Sequence, residues 1–190
     1  MGSILAHFDA AHYFHRAATA AYEGNLKDPG SHFFTNQFEN LSSAKAHFES
    51  TAPEMWEQSG KKLDGFVCSS GTGGTIGGCS RYLKQVNPSC AVYCIDPPGS
   101  GLHGLIEQGQ AAIKPGSSPS SPAGRTAFDG DRMVRYIERS DGDSITEGIG
   151  IDRVTANFSS GLEAGCIDGC LQGCDFNGGI LIYYSRKLIC

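Results

Sequence analysis

The chain has 190 residues, 39% of them apolar and 18% charged, with a net charge of −5 and no basic block. That is core enough for one ordinary domain, and it removes the electrostatic footprint that nucleic acid or an anionic membrane would require. No window approaches roughly 18 continuous apolar residues, and residues 1–10 lack the basic and long apolar regions of a secretory signal, so the expected location is the cytoplasm, or the mitochondrion if an N-terminal extension is missing.

Asp9 is placed to cap a helix over residues 10–22, an Ala-rich stretch that Gly24 ends. Residues 25–38 turn to Gly, Pro, Asn and aromatic side chains and predict a polar loop of the kind that holds ligands. Thr51-Ala52-Pro53-Glu54 reads as a capping box that starts a helix ending at Gly60. Residues 63–69 predict a buried strand, Gly71-Thr72-Gly73-Gly74-Thr75 a tight turn, residues 76–86 a helix closed by Asn87-Pro88, and residues 91–96 a second buried strand. This is a βαβ unit, so the two strands are expected to be parallel and, as continuous apolar runs, buried on both faces. Residues 115–122 are a low-complexity Pro/Ser loop, residues 133–137 a short strand, and Thr146-Glu147-Gly148-Ile149-Gly150 a second glycine-bearing turn. The expected architecture is α/β, three layers with a mostly parallel sheet.

The eight cysteines lack the spacing of a zinc knuckle and are expected to be free, mostly buried thiols. Cys166, Cys170 and Cys174 recur every four residues, but Gly165, Gly169 and Gly173 recur with them and disfavour a helical stripe. His12 and His15 stand three apart with no acidic or cysteine partner nearby, so no metal site is expected. Asn40-Leu41-Ser42 and Asn157-Phe158-Ser159 are formal glycosylation sequons without a secretory signal to give them meaning.

A glycine-rich turn between a parallel strand and a helix exposes backbone N–H groups at the positive end of the helix dipole, which suits a phosphate. Thr72 and Thr75 add hydroxyls, but no lysine follows the last glycine as in a nucleotide P-loop, and the wider third interval of a dinucleotide fingerprint is missing. A monophosphate is the ligand that fits better, the alternative being a purely structural glycine turn.

Five blocks in order carry a resemblance: Asn36-Gln37-Phe38-Glu39-Asn40, residues 51–58 (TAPEMWEQ), residues 71–78 (GTGGTIGG), Arg81-Tyr82-Leu83-Lys84 and Thr146-Glu147-Gly148-Ile149-Gly150. Together they resemble the cysteine synthase family, pyridoxal-phosphate enzymes of fold type II (tryptophan synthase β-like). Asp96-Pro97-Pro98-Gly99-Ser100-Gly101 is similar to the fungal cysteine-synthase-like branch. The resemblance implies that Gly71, Thr72, Gly73, Gly74 and Thr75 hold the 5′-phosphate of pyridoxal phosphate, that Gly148, Ile149 and Gly150 lie against the cofactor, and that Gln37 binds the α-carboxylate of an amino-acid substrate. It implies β-replacement, in which sulfide takes the place of the acetate of O-acetylserine to give cysteine, and a homodimer, the family's usual assembly.

The departures concern catalysis. The family's Schiff-base lysine stands in a Ser-x-Lys-Asp-Arg-like block upstream of the matched region, followed by a Ser/Thr-Gly-Asn-Thr-Gly substrate loop, and these 190 residues contain neither. Lys27, Lys45, Lys61, Lys62, Lys84, Lys114 and Lys187 all stand in other contexts, so no catalytic residue is assigned. The C-terminal Gly-Ser-Ser-Gly block is also missing. Residues 1–160 are therefore expected to form part of a catalytic domain, and residues 161–190 a divergent tail. The alternative function is a non-catalytic remnant that binds at most the cofactor phosphate or a partner subunit.

Overall fold

A computed structural model describes residues 13–107, 135–136, 148–151, 153–176, 179–184 and 187–188, with backbone alone at 135–136 and beyond 173. The chain forms two compact units, residues 1–36 with 114–134, and residues 37–113 with 135–190.

In the first unit, helix α1 runs Tyr13–Lys27, so Gly24 does not end it. Phe14 and Ala18, four apart, make its buried stripe, and Phe14 meets Phe34 edge to face at 5.1 Å. At Gly24 a Cβ would overlap the His32 ring, so the glycine serves a close approach rather than a stop. The expected loop therefore starts at Asp28, and Asn25 belongs to the helix. Its Oδ1 accepts from the N–H groups of Gly30 (3.0 Å) and His32 (3.2 Å), which fixes the turn. His15 stands on α1 against Phe14, while Asp9 and His12 lie outside the described residues.

The second unit begins with a helical run: α2 (Ser42–Ala46), a π-helical turn (His47–Thr51) and α3 (Ala52–Gln58). Thr51 is thus no N-cap. It is itself helical and makes no capping bond, because the helix was already under way at Ser42. Strand β1 (Gly65–Ser69), helix α4 (Gly74–Val86) and strand β2 (Ala91–Asp96) follow, and β1 pairs parallel with β2 in the register Cys68 opposite Cys94. After α5 (Leu102–Glu107) come the short pair β3 (Arg135–Tyr136) and β4 (Arg153–Val154), then α6 (Ala156–Leu162) and β5 (Gly169–Phe176), which joins β2 in parallel. β6 (Gly179–Tyr184) and β7 (Lys187–Leu188) extend the same sheet antiparallel, giving the order β1-β2-β5-β6-β7.

The core unites Val92, Cys94 and Cys170 of the sheet with Ile76 of α4, Leu102 of α5 and Phe158 of α6. The two-face burial expected of both strands is not found. Val92, Cys94 and Asp96 are buried while Ala91, Tyr93 and Ile95 are only half-buried, and Val67 is 48% exposed on the edge strand β1. A strand with one face packed and the other only partly covered alternates in burial even where its sequence is continuously apolar.

Candidate functional site

In a parallel sheet, ligands gather beyond the carboxyl ends of the strands. At the end of β1, Ser70 to Gly73 make the turn and α4 begins at Gly74, so the expected strand-to-helix turn is there. Gly73 is the N-cap residue at φ +82°, the left-handed region that glycine enters without strain, and a Cβ on it would lie 2.6 Å from the Phe158 Cβ. No side chain caps α4, and its first intrahelical bond runs from the Gly77 N–H to the Gly73 carbonyl. The first-turn N–H groups therefore have no acceptor within the helix.

The second glycine turn is brought to this one. The Gly150 N–H donates to the Ser70 carbonyl at 3.0 Å, and a Cβ on Gly71 would fall on the carbonyl oxygen of Gly148. On its other side, Ile151 exchanges hydrogen bonds with the Ser100 hydroxyl, 2.9 Å as donor and 3.0 Å as acceptor, so the segment straps together the loops that follow β1 and β2.

Helix α6 holds the arrangement from below. Thr155 is its N-cap: Oγ1 accepts from the Phe158 N–H at 3.1 Å and donates to the Thr72 carbonyl at 2.8 Å. Asn157 is fully buried, and its Nδ2 lies 3.0, 3.0 and 3.1 Å from the carbonyls of Gln37, Phe38 and Asn40 while Oδ1 accepts from the Ala44 N–H. The Gln37 backbone is thereby tied to the helix that touches the glycine turn, with its own side chain exposed. Glu39 and Arg153, both buried, approach to 3.8 Å, and Glu39 Oε2 accepts from the Ala156 N–H in the first turn of α6.

Gly74 of the expected phosphate loop, and Gly78 one turn further along α4, also have a packing reason. A Cβ on Gly74 would fall on the Ser43 hydroxyl, as one on Gly78 would fall on the Ala44 carbonyl, so small residues let α2 and α4 touch. Thr75 does not simply offer its hydroxyl outward, since its Oγ1 is 3.2 Å from His47 Nε2. Sequence reasoning missed His47, Ser70, Thr155 and Asn157. Thr155 could have been found as a Thr N-cap, and Asn157 was visible only as part of a sequon.

Residues 6–156 match the family of pyridoxal-phosphate dependent enzymes. The chain belongs to this family. It is 41% identical over 153 residues to cysteine synthase 2 of Schizosaccharomyces pombe, covering 80% of this chain and 35% of that protein. It is 37% identical over 179 residues to a cysteine synthase of Dictyostelium discoideum, covering 94% and 40%. The solved O-acetylserine dependent cystathionine beta-synthase of Helicobacter pylori superposes with a TM-score of 0.53 at 25% identity, over 83% of this chain and 39% of that one. The chain thus spans well under half the length of these relatives.

The residues present fit the phosphate end of the family's cofactor. Ser70 is buried at 1% exposure with a hydroxyl that has no hydrogen-bond partner among the described residues, and it directly precedes the uncapped turn. Among the described residues no group of three or more His, Cys, Asp or Glu could hold a metal ion, and no helix is long and apolar enough to cross a membrane.

Proposed function

We propose that this chain carries the phosphate anchor of a cysteine synthase-type enzyme, whose reaction forms L-cysteine from O-acetylserine and sulfide by β-replacement. The observation that supports it is the uncapped, left-handed Gly73 turn at the carboxyl end of β1. The N–H groups of the turn Gly71, Thr72, Gly73, Gly74 and Thr75 would receive the 5′-phosphate, with the α4 dipole favouring its charge. Gly148, Ile149 and Gly150 would bound the cofactor on the side where they already touch Ser70 and Gly71. The exposed Gln37 amide would donate to the substrate α-carboxylate. When bound, pyridoxal phosphate supplies an electron sink for the carbanion at the substrate α-carbon. The expected partners are a small amino-acid substrate and a second copy of the chain, and the expected place is the cytoplasm.

A second reading, binding without turnover, is favoured by three of the described lysines. Lys45 and Lys61 are exposed and lie beside Glu49 and Glu57. Lys84 grips both oxygens of Asp168 at 2.8 and 2.7 Å, roughly 15 Å along α4 from its first residue by helix rise. Proton transfer at a substrate α-carbon requires an amine poised there.

The test is to titrate the purified chain with pyridoxal phosphate and with pyridoxal, reduce with borohydride, and assay O-acetylserine plus sulfide. Binding that depends on the phosphate, without a stoichiometric lysine adduct and without turnover, is the expected result. An adduct at one lysine together with turnover would restore the catalytic reading, and equal binding of pyridoxal would remove the anchor.

A further inference from the structure

His47 opens the π-helical turn His47–Thr51, a rare geometry that recurs where function demands it. The turn is closed by the Ala52 N–H donating to the His47 carbonyl, five residues back, and it sets Thr51 Oγ1 3.0 Å from His47 Nδ1. On the other side of the ring, Nε2 is 3.2 Å from Thr75 Oγ1, in the first turn of α4. One imidazole therefore bridges two hydroxyls, one in the helical run before β1 and one in the glycine turn.

We propose that His47 is a positioning residue for the cofactor phosphate: it takes the hydrogen of Thr51 on Nδ1 and donates Nε2–H to Thr75, which turns the Thr75 hydroxyl hydrogen toward the anion. This rests on the phosphate-anchor reading above and assigns to it a residue outside the glycine turn. A phosphate oxygen is an acceptor, so Thr75 can bond to it only by donating. A neutral imidazole has one N–H and one bare nitrogen. If the proton sits on Nδ1, bare Nε2 competes with the phosphate for the Thr75 hydrogen. If it sits on Nε2, the ring donates to Thr75 and the Thr75 hydrogen is released to the ligand. The relay requires that second tautomer, and in it the Thr51 hydroxyl, which can donate as well as accept, supplies a hydrogen to bare Nδ1. The order is Thr51 Oγ1–H to Nδ1, Nε2–H to Thr75 Oγ1, and Thr75 Oγ1–H to phosphate, with every hydrogen pointing to the anion. No proton is transferred, and a change of tautomer on binding exchanges the ring hydrogen with solvent.

The position is not adjustable. A Cβ on Gly78 would lie 2.8 Å from the His47 Cβ and 2.9 Å from the Phe48 N–H nitrogen, so the π turn is pressed directly against α4. Phe48 is anchored there as well, edge to face with Tyr82 at 5.8 Å and under the Arg81 guanidinium. The ring is thus held at the start of α4 by packing that does not depend on its own hydrogen bonds.

The experiment uses the whole chain with pyridoxal phosphate and inorganic phosphate as probes, in mildly alkaline buffer. Imidazole nitrogen-15 spectra of the phosphate-loaded chain should show the proton on Nε2 and Nδ1 bare. Affinity should fall roughly five- to tenfold in His47→Phe and His47→Asn, the worth of one neutral hydrogen bond that orients the Thr75 hydroxyl. His47→Gln places an amide donor where Nε2 stood and should stay within about threefold of the parent, and Thr51→Val should leave a mixture of tautomers. Thermal unfolding of each variant separates weaker binding from lost folding, and the Gln variant carries the comparison if Phe and Asn fail to fold. A loaded chain protonated on Nδ1, or unchanged affinity in His47→Phe, would overturn the relay while leaving the anchor intact. Failure of the parent chain to bind either probe would overturn the anchor, and the relay with it.

Discussion

Asn157 has no exposed surface, and its amide bridges α6 to the backbone of the 37–40 loop and of α2. Asn157→Ala would leave buried carbonyls and an N–H without partners at about 1–3 kcal/mol for each one that water cannot reach, so a loss of roughly 3 kcal/mol is expected in urea unfolding. Gly73 is the other residue whose identity is dictated by its site. Gly73→Ala meets both a left-handed backbone, costing roughly 1–2 kcal/mol, and the Phe158 side chain, so it should lower the melting temperature and abolish phosphate-dependent binding of pyridoxal phosphate. These two residues differ in how far they can be read from sequence. Three glycines in four residues announce a constrained turn because no other side chain tolerates the geometry. A buried asparagine looks like any polar residue until the backbone groups it satisfies have been brought to it.

At the scale of elements, α4 touches its neighbours through glycines. At Gly77 a Cβ would fall on the Asn157 carbonyl, so Gly77→Ala should push α6 away and destabilise by about 1–3 kcal/mol, measurable by denaturant titration. The far end of α4 is pinned by Lys84 to Asp168, which also accepts from the Val92 N–H. Burial works to raise the Asp168 carboxyl, but the Lys84 hydrogen bonds, the Val92 N–H and the Lys84 charge outweigh it and hold it below its ordinary value. A carboxylate lowered in the folded state contributes stability above its unfolded pKa and loses it as pH falls through the folded one. Stability should therefore drop as the pH is taken below about 4, and Lys84→Met should flatten that limb of the curve. Asp96 runs the other way. Burial raises it, with the Ser100 hydroxyl and the His103 N–H opposing, so its contribution falls as pH rises from its unfolded value through the raised one. Asp96→Asn, which keeps an acceptor for the His103 N–H, should reduce that fall. Element types were legible along this stretch: β2 spans the expected residues, and α4 begins two residues ahead of expectation. The helix before β1 was mistaken in its start, because local capping chemistry at Thr51 says nothing of the helical run that precedes it.

At the scale of the whole molecule, the chain has the α/β class and the parallel β1-β2 pair that its sequence predicts, with β5 completing a three-stranded parallel part. Family membership accounts for this fold, and the matched residues 6–156 include the glycine turn and the elements around it. As these 190 residues stand, addition of pyridoxal phosphate, O-acetylserine and sulfide is expected to give no cysteine above the rate of free cofactor, as read by product assay. Turnover would place the missing amine on one of the seven lysines. The sequence by itself determined the strand-turn-helix-strand unit and the glycine turn, because these depend on local backbone freedom and on apolar runs within a few residues of one another. Only the tertiary structure decided that β1 is half-exposed, that the turn Gly148–Gly150 meets Ser70 and Gly71, and that His47, Thr155 and Asn157 surround the site. Those outcomes depend on which distant backbone groups come within hydrogen-bond reach, a property of packing that no local pattern of residues encodes.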